Sequence, residues 1–314
     1  MREVLNRIGM RARVGRIGLF EKVYFSDRYQ AARLASIYKL IGNSGVFDYF
    51  HGDPSISPDS GPLLRKIVNI KDCFFRIRVS HSGMESLLRS SGLEDLVFRI
   101  PIGLKIDWFP QKTRDSREIL RKELGIPSSA VVVGSFQKDG EGWGEGNEPK
   151  IEKGPDILLE SLGLLAQRIP ELFVLLTGPS RGFVKAGLTR LKIPFKHVEV
   201  SYYPEIGTYY HALDGYLISS RDEGGPKAVL EAMATGVPLV STSVGQAQDL
   251  IEHGKNGWLA DSNTSEELAE LMYYCLSVSQ TDHQINLARL TAERNSYGQQ
   301  RSLWREFFQV RSST

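Results

Sequence analysis

From about residue 130 onward, short runs that are apolar at nearly every position alternate with longer stretches whose apolar residues recur every three to four positions. The runs Val131–Ser135 (VVVGS), Leu172–Thr177 (LFVLLT), 215–219 (GYLIS) and 238–242 (PLVST) read as strands. The stretches near 156–168, 203–212, 226–235 and 246–252 read as helices. Strands without polar alternation belong in a sheet that helices cover on both faces. The pattern therefore predicts a doubly wound parallel α/β domain over about residues 110–279. A weaker version of it fills the first part of the chain, with strands at 46–50 (VFDYF), 74–80 (FFRIRVS) and 97–103 (VFRIPIG) and a helix from near Ser82. Residues 285–310 read as one long amphipathic helix carrying Leu287, Leu290, Leu303, Trp304 and Phe307, broken near 296–298. The expected organisation is a first domain at 1–108, a second at 109–280, and a closing helix at 281–314 that packs back on the first.

The chain has 314 residues, 41% hydrophobic and 24% charged, which suits two globular domains of roughly 150 residues each. A net charge of only +2 gives no overall signal for nucleic acid. The charge is uneven, because residues 1–40 hold nine Lys and Arg against three Asp and Glu. Such a cluster can hold a chain near an anionic membrane or a phosphorylated acceptor, or is a solvated basic face. Cys73 and Cys275 are too few for a disulfide framework or a metal cluster, and a reducing compartment is expected. No apolar run is long enough to span a bilayer and the first residues lack a secretory pattern, so a cytoplasmic protein, with or without peripheral membrane contact, is expected.

The chemistry concentrates in SSRDEGGPKAVLEAMATGVPLVSTSVG, residues 219–245. A strand delivers Ser219, a loop carries Glu223, Gly224 and Gly225, and Pro226 is expected to open a helix at its first position. Glycines there let main-chain amides approach a ligand, and the positive end of the helix attracts an anion such as a diphosphate. Glu231 follows Glu223 by eight residues, which places it roughly 7–8 Å past the helix start at about 1.5 Å per residue. Two carboxylates so spaced can bracket a phosphate-linked ligand, one at sugar hydroxyls and one at a ribose diol. The loop also falls at the carboxyl end of a strand, where open α/β sheets bind ligands. Any strand–loop–helix with a Gly-rich turn shares this geometry, and on geometry alone both readings stay open.

The same residues resemble the donor-site signature of the retaining glycosyltransferases of family 4, also called glycosyltransferase group 1: Glu, seven residues, Glu, then Ala-Met-Ala and Gly-x-Pro-hydrophobic-Val. EHGKNGWLADSNTSEELAE at 252–270 resembles that family's Gly-x-Asn-Gly turn and following helix. VVVGSFQ and EKGPDILLESLGLL resemble its first nucleotide-domain strand and the Lys-Gly that opens the next helix, and IPIGLKIDWF its interdomain segment. The resemblance implies two Rossmann-like domains facing across a cleft (GT-B), a nucleoside-diphosphate sugar as substrate, a glycan or lipid-linked acceptor, and no cofactor. It assigns Glu223, His51 and Lys153 as catalytic residues: Glu223 at the donor sugar, His51 reaching that sugar from the first domain, and Lys153 neutralising the diphosphate. It assigns donor binding to Glu231 at the ribose, to Gly224, Gly225 and Pro226 at sugar and phosphate, and to Lys138 and Ser135. GT-B enzymes stabilise the leaving phosphate with cations and amides, and the chain has no Asp-x-Asp pair, so no metal is expected.

Three departures qualify the resemblance. The family's phosphate-binding Arg follows the strand glycine, whereas Ser135 follows Gly134, leaving Lys138 or Lys150 to supply the charge. Residues 138–150 (KDGEGWGEGNEPK) enlarge one loop into an acidic, Gly-rich patch read as a flexible lid tipped by Trp143, or as disorder. The first domain is short, and nothing before Leu40 matches the family's opening strand and Gly-Gly loop. His81, His197, His211, His253 and His283 show no metal-like spacing, and the pairs Tyr202-Tyr203 and Tyr209-Tyr210 read as packing or cleft lining. Two other functions fit the fold: a catalytically silent nucleotide-sugar-binding module, and a sugar-nucleotide epimerase, for which His51 alone is available as acid or base.

Overall fold

Val46 and Phe47 are adjacent in sequence yet enter different hydrophobic clusters, as period-two strand geometry requires. The computed structural model describes residues 17–278 and 281–309; Arg2, Arg7, Arg11, Arg13 and Arg16 of the basic cluster lie outside them. The chain forms two units, Met1–Gly103 with Tyr297–Thr314, and Leu104–Ser296.

In the first unit, β1 (Lys22–Tyr24), β2 (Ser44–Asp48), β3 (Phe74–Val79) and β4 (Val97–Arg99) form a parallel sheet in that order. One face carries Phe47, Phe74, Ile77 and Val79 against Ala31, Ala32 and Ala35 of the Arg28–Lys39 helix, Ile67 of Ser60–Asn69 and Leu88 of Ser82–Leu88. The other face carries Val46 and Ile100 against Trp304, Phe307 and Phe308 of the Arg301–Phe308 helix. On that face Arg78 lies over the Trp304 ring at 4.7 Å, donates to the Ile100 carbonyl at 3.0 Å and pairs with Asp48 at 3.5 Å. Burial pushes the Asp48 carboxyl up, and Arg78 opposes that shift.

The second unit holds six parallel strands in the order β10-β9-β8-β5-β6-β7. They are β5 (Val131–Ser135), β6 (Leu172–Thr177), β7 (Phe195–Val198), β8 (Gly215–Ile218), β9 (Leu239–Ser241) and β10 (Trp258–Leu259). Val132, Leu175, Tyr216 and Leu239 face one cluster, completed by Leu120, Val229, Met233 and Ala292 from the helices Arg114–Leu124, Lys227–Thr235 and Asp282–Arg294. Val133, Val174, Leu217 and Val240 face the other, completed by Leu158, Leu162, Val184, Leu268 and Met272 from Pro155–Ala166, Gly182–Leu191 and Ser265–Ser277. The sheet is covered on both sides, as the uninterrupted apolar runs require.

Three expectations need correction. The division falls at Gly103/Leu104 and again at Ser296/Tyr297, not at 108/109 and 280/281. The closing stretch is two helices, not one: Asp282–Arg294 packs in the second unit and Arg301–Phe308 in the first, because the turn at Ser296–Gly298 breaks the apolar stripe. Only four residues of 203–212, Ile206–Tyr209, are α-helical, with 3₁₀ turns on either side at Tyr203–Glu205 and Tyr210–Ala212. Among the described residues, no helix is long and apolar enough to cross a membrane.

Candidate functional site

In the second sheet, strand order reverses between β5 and β8, and the loops leaving the carboxyl ends of these two neighbours form the site. β8 delivers the buried Ser219 and Ser220, then Glu223, Gly224, Gly225 and Pro226. β5 leads through Gln137 and the enlarged loop to Lys153, Gly154 and the Pro155–Ala166 helix. The loops are knitted together: the Lys153 carbonyl accepts from Gln137 Nε2 at 3.1 Å and Ser219 Oγ at 3.4 Å. The Glu152 carbonyl accepts from the Arg221 and Asp222 amides at 2.8 and 3.2 Å. Arg221 grips Asp156 with both terminal nitrogens, at 2.7 and 2.6 Å, and that fork holds the Asp156 carboxyl below its usual range.

This arrangement brings together Lys153 and Glu223, which are seventy residues apart in sequence. Lys153 Nζ lies 3.0 Å from Glu223 Oε1, and the Ser220 hydroxyl donates to the same oxygen at 2.5 Å. Gly154 makes the approach feasible. Its φ is +60°, and a Cβ there would lie 1.9 Å from the Ser219 carbonyl oxygen. Gly154→Ala is expected to destabilise the protein by about 1–3 kcal/mol through strain and overpacking, measured by urea unfolding; a loss under 0.5 kcal/mol would contradict this close packing.

Glu231 sits on the Lys227–Thr235 helix with 3% of its surface exposed. Its carboxylate accepts from the hydroxyl of Tyr203 at one oxygen and from that of Tyr210 at the other, the latter at 2.8 Å. Burial raises the Glu231 carboxyl, and the two hydroxyls and Lys227 oppose that. Burial and the Glu231 charge together push the Tyr210 hydroxyl well up. Around it, Phe136, Tyr210 and Tyr216 pack at centroid separations of 4.9–5.5 Å. The sequence reads Tyr203 and Tyr210 as packing or cleft lining, and their bonds to Glu231 carry no local signal. A carboxylate oxygen has two lone pairs, so each Glu231 oxygen retains capacity for a further donor.

Pro226 is not the first helical residue. It caps the Lys227–Thr235 helix from an extended conformation, ψ 112°, and its carbonyl accepts from the Val229 amide at 3.1 Å. Gly225 has a neighbour within the chain that explains it: a Cβ there would lie 2.6 Å from the buried Gln246 side chain. Gly224 is likewise buried.

Ser135, Lys138 and Lys150 each have a partner within the chain. Ser135 is buried, and its carbonyl and hydroxyl accept from Arg181 at 2.6 and 3.2 Å. Arg181 also pairs with Asp139 at 2.9 Å, both side chains fully buried; burial raises the Asp139 carboxyl and Arg181 opposes that. Lys138 lies over the Trp143 ring at 4.0 Å, and Lys150 pairs with Glu152 at 3.1 Å. The 138–150 loop packs against the start of the Gly182–Leu191 helix. Its Glu145 and Gly146 carbonyls accept the first amides of the Gly182–Leu191 helix at 2.6 and 2.9 Å, capping groups that would otherwise lack partners. Ser180 Oγ lies within hydrogen-bond distance of the carbonyls of Gly142 and Gly144, at 3.2 and 3.0 Å, on either side of an exposed Trp143.

His51 belongs to the first unit and is exposed in the loop after β2, ahead of Gly52, which has a φ of +96° and where a Cβ would lie 2.2 Å from the Arg28 guanidinium. His81, His197, His211 and His253 each face a main-chain carbonyl, of Phe50, Gly178, Pro110 and Leu259 at 2.8–3.2 Å. Among the described residues no three His, Cys, Asp or Glu side chains converge as a metal site, and both cysteines are free thiols.

Residues 149–288 match the family described as glycosyl transferases group 1. The D-inositol 3-phosphate glycosyltransferase of Corynebacterium urealyticum is 30% identical over 189 residues, 56% of this chain and 42% of that protein. The lipopolysaccharide core biosynthesis mannosyltransferase LpsB of Rhizobium meliloti is 29% identical over 141 residues, 43% of this chain and 37% of that protein. The match thus spans less than half the length of either relative. Among solved structures, HepE of Anabaena in complex with UDP aligns with a TM-score of 0.76 at 22% identity, covering 99% of this chain and 81% of that one. Sucrose-phosphate synthase of Thermosynechococcus elongatus aligns with a TM-score of 0.73 at 16% identity, over 92% and 74%. These likenesses give the fold, two Rossmann-like α/β domains of the GT-B class. Over residues 149–288, a stretch just short of half the chain, this sequence is similar to the group 1 glycosyl transferases.

Proposed function

We propose that the protein is a retaining glycosyltransferase of family 4 that moves a sugar from a nucleoside-diphosphate sugar to a glycan or lipid-linked acceptor, without a bound metal ion. The observation that carries this reading is the Lys153–Glu223 pair, 3.0 Å apart beside the start of the Lys227–Thr235 helix at the strand-order switch. The leaving group is a nucleoside diphosphate, and the transition state gathers negative charge on its β-phosphate and positive charge on the sugar ring. Lys153 supplies a compact cation for that phosphate, and the helix start supplies partial positive charge. Glu223 accepts from donor-sugar hydroxyls, Glu231 from the ribose diol, and His51 of the first unit contacts the sugar. Retention proceeds on the front face, the departing phosphate oxygen taking the acceptor's proton. HepE, the structural neighbour, is solved with UDP and with UDP-glucose, which favours a uridine donor. A cytoplasmic enzyme touching an anionic membrane through its basic amino-terminal segment completes the reading.

The test is a thermal-shift panel of UDP, GDP and ADP and their sugars, followed by product analysis. One member at about 100 times its dissociation constant is expected to stabilise the protein by roughly 2.7 kcal/mol. A flat panel would overturn the reading. Binding with neither transfer nor donor hydrolysis would leave a silent nucleotide-sugar-binding module.

A further inference from the structure

At the opposite ends of the strands of the second sheet, where β5, β8 and β9 begin, lies a cavity of about 370 Å³. It is lined by Lys112, Arg117, Ser128, Ser129, Asp214 and Cys275, among others. Two arginines share one carboxylate here, with Lys112 nearby. Arg117 Nη2 reaches Asp214 Oδ1 at 2.9 Å, and Arg121 Nη2 reaches Oδ2 at 2.7 Å, the oxygen that also accepts the Val132 amide at 2.8 Å. Asp214 stays ionised: burial raises its carboxyl, but the Val132 amide and Arg121 outweigh that and hold it low. Arg121 is buried and donates also to the Ala212 and Ala130 carbonyls at 2.8 and 2.9 Å. Lys112 has no carboxylate; its ammonium donates to the Leu213 carbonyl at 3.0 Å. Cys275 supplies no balancing charge, because burial pushes its thiol up to about 12.

We propose that this cavity is an anion-binding site that takes a tetrahedral oxyanion, a phosphate or a phosphomonoester, between Lys112 and Arg117, with Ser128 and Ser129 on its rim. Lys112 and Arg117 retain donors beyond those the chain itself uses, and ammonium and guanidinium groups are the ordinary partners of phosphate oxygens. The charge imbalance points the same way. Burial, offset in part by Asp214 and reinforced by Arg117 and Arg121, brings the Lys112 ammonium down to about 8. The site lies at the amino ends of the strands and the donor site at their carboxyl ends, so the two inferences are independent.

The test is calorimetric titration of the full chain with sulfate, whose charge is constant across the range, with inorganic phosphate, and with glucose 6-phosphate. Sulfate is expected to bind at pH 7 and to weaken roughly tenfold by pH 9, because a bound anion needs protonated Lys112 and that proton is lost as pH rises through about 8. Lys112→Met and Arg117→Met are each expected to weaken sulfate binding by about tenfold or more, and Arg117→Lys to retain most of it. Lys153→Met, on the donor side, is expected to leave it unchanged. Tighter binding of glucose 6-phosphate than of phosphate identifies a phosphomonoester as the ligand; equal binding identifies the free ion. Absence of sulfate binding at pH 7 overturns the proposal. Sulfate binding that survives in folded Lys112→Met but disappears in Lys153→Met overturns it too, by placing the anion at the donor loops.

Discussion

Lys153→Met is expected to slow sugar transfer by roughly 10²–10³-fold, the usual effect of removing one preorganised group from a site of developing negative charge. The unfolding midpoint is expected to move little. The Lys153 side chain is partly exposed and held by Glu223, and such pairs contribute about 0–1 kcal/mol to folding. The carboxylate it leaves keeps the Ser220 hydroxyl as partner. Steady-state rates at saturating donor, with circular dichroism on the same preparation, check both halves. Turnover within threefold of the parent would remove Lys153 from the reaction. A large loss of stability would instead make the ion pair a structural clamp between the two loops. Methionine keeps the length of the chain that leads to the ammonium, so packing changes least.

Glu231→Gln is expected to separate binding from folding. In the proposed reading Glu231 accepts from the ribose, and replacing such a charged acceptor by a neutral one costs roughly 1.5–3 kcal/mol, or about 10–100-fold in nucleotide affinity. Stability at pH 7 is expected to hold or rise, because the carboxylate is buried and burial raises its pKa. The sign follows from linkage. A group whose folded pKa is raised stabilises the fold while it is protonated, and that contribution is lost as pH rises through the folded value. Burying the Glu231 charge is therefore a cost that glutamine removes while keeping shape and an acceptor for a tyrosine hydroxyl. Urea unfolding at pH 7 is expected to show the variant at least as stable as the parent, with the gap closing as pH falls below about 4.5, where the unfolded carboxyl also protonates. Unchanged nucleotide affinity would detach Glu231 from the ribose. Strong destabilisation at pH 7 would mean that the tyrosine bonds outweigh the burial of its charge. A functional carboxylate kept in the fold at a cost in stability is a known trade.

The sequence by itself determined the strands and the loops that carry chemistry. VVVGS and LFVLLT lie at the strand positions expected, because a run apolar on both faces has one use in an α/β protein. The Glu-Gly-Gly-Pro turn and the Lys-Gly turn both leave the carboxyl ends of strands, and both are local features whose backbone needs are written in their own residues. Short β7 and β10 were missed, since FKHV and WL are too brief to show a period. Tertiary structure alone decided which polar groups meet. Tyr203 and Tyr210 reach Glu231 from 28 and 21 residues away, and Arg181 reaches Ser135 across 46. It also folded the acidic loop onto a helix start, and it set Arg117 and Arg121 on a single shared carboxylate with Lys112 lining the same cavity. Periodicity reports only which face of an element is dry. A buried polar group answers to partners brought in by distant crossings of the chain, and in a low-dielectric interior those partners fix its charge, its orientation and its capacity to hold a ligand.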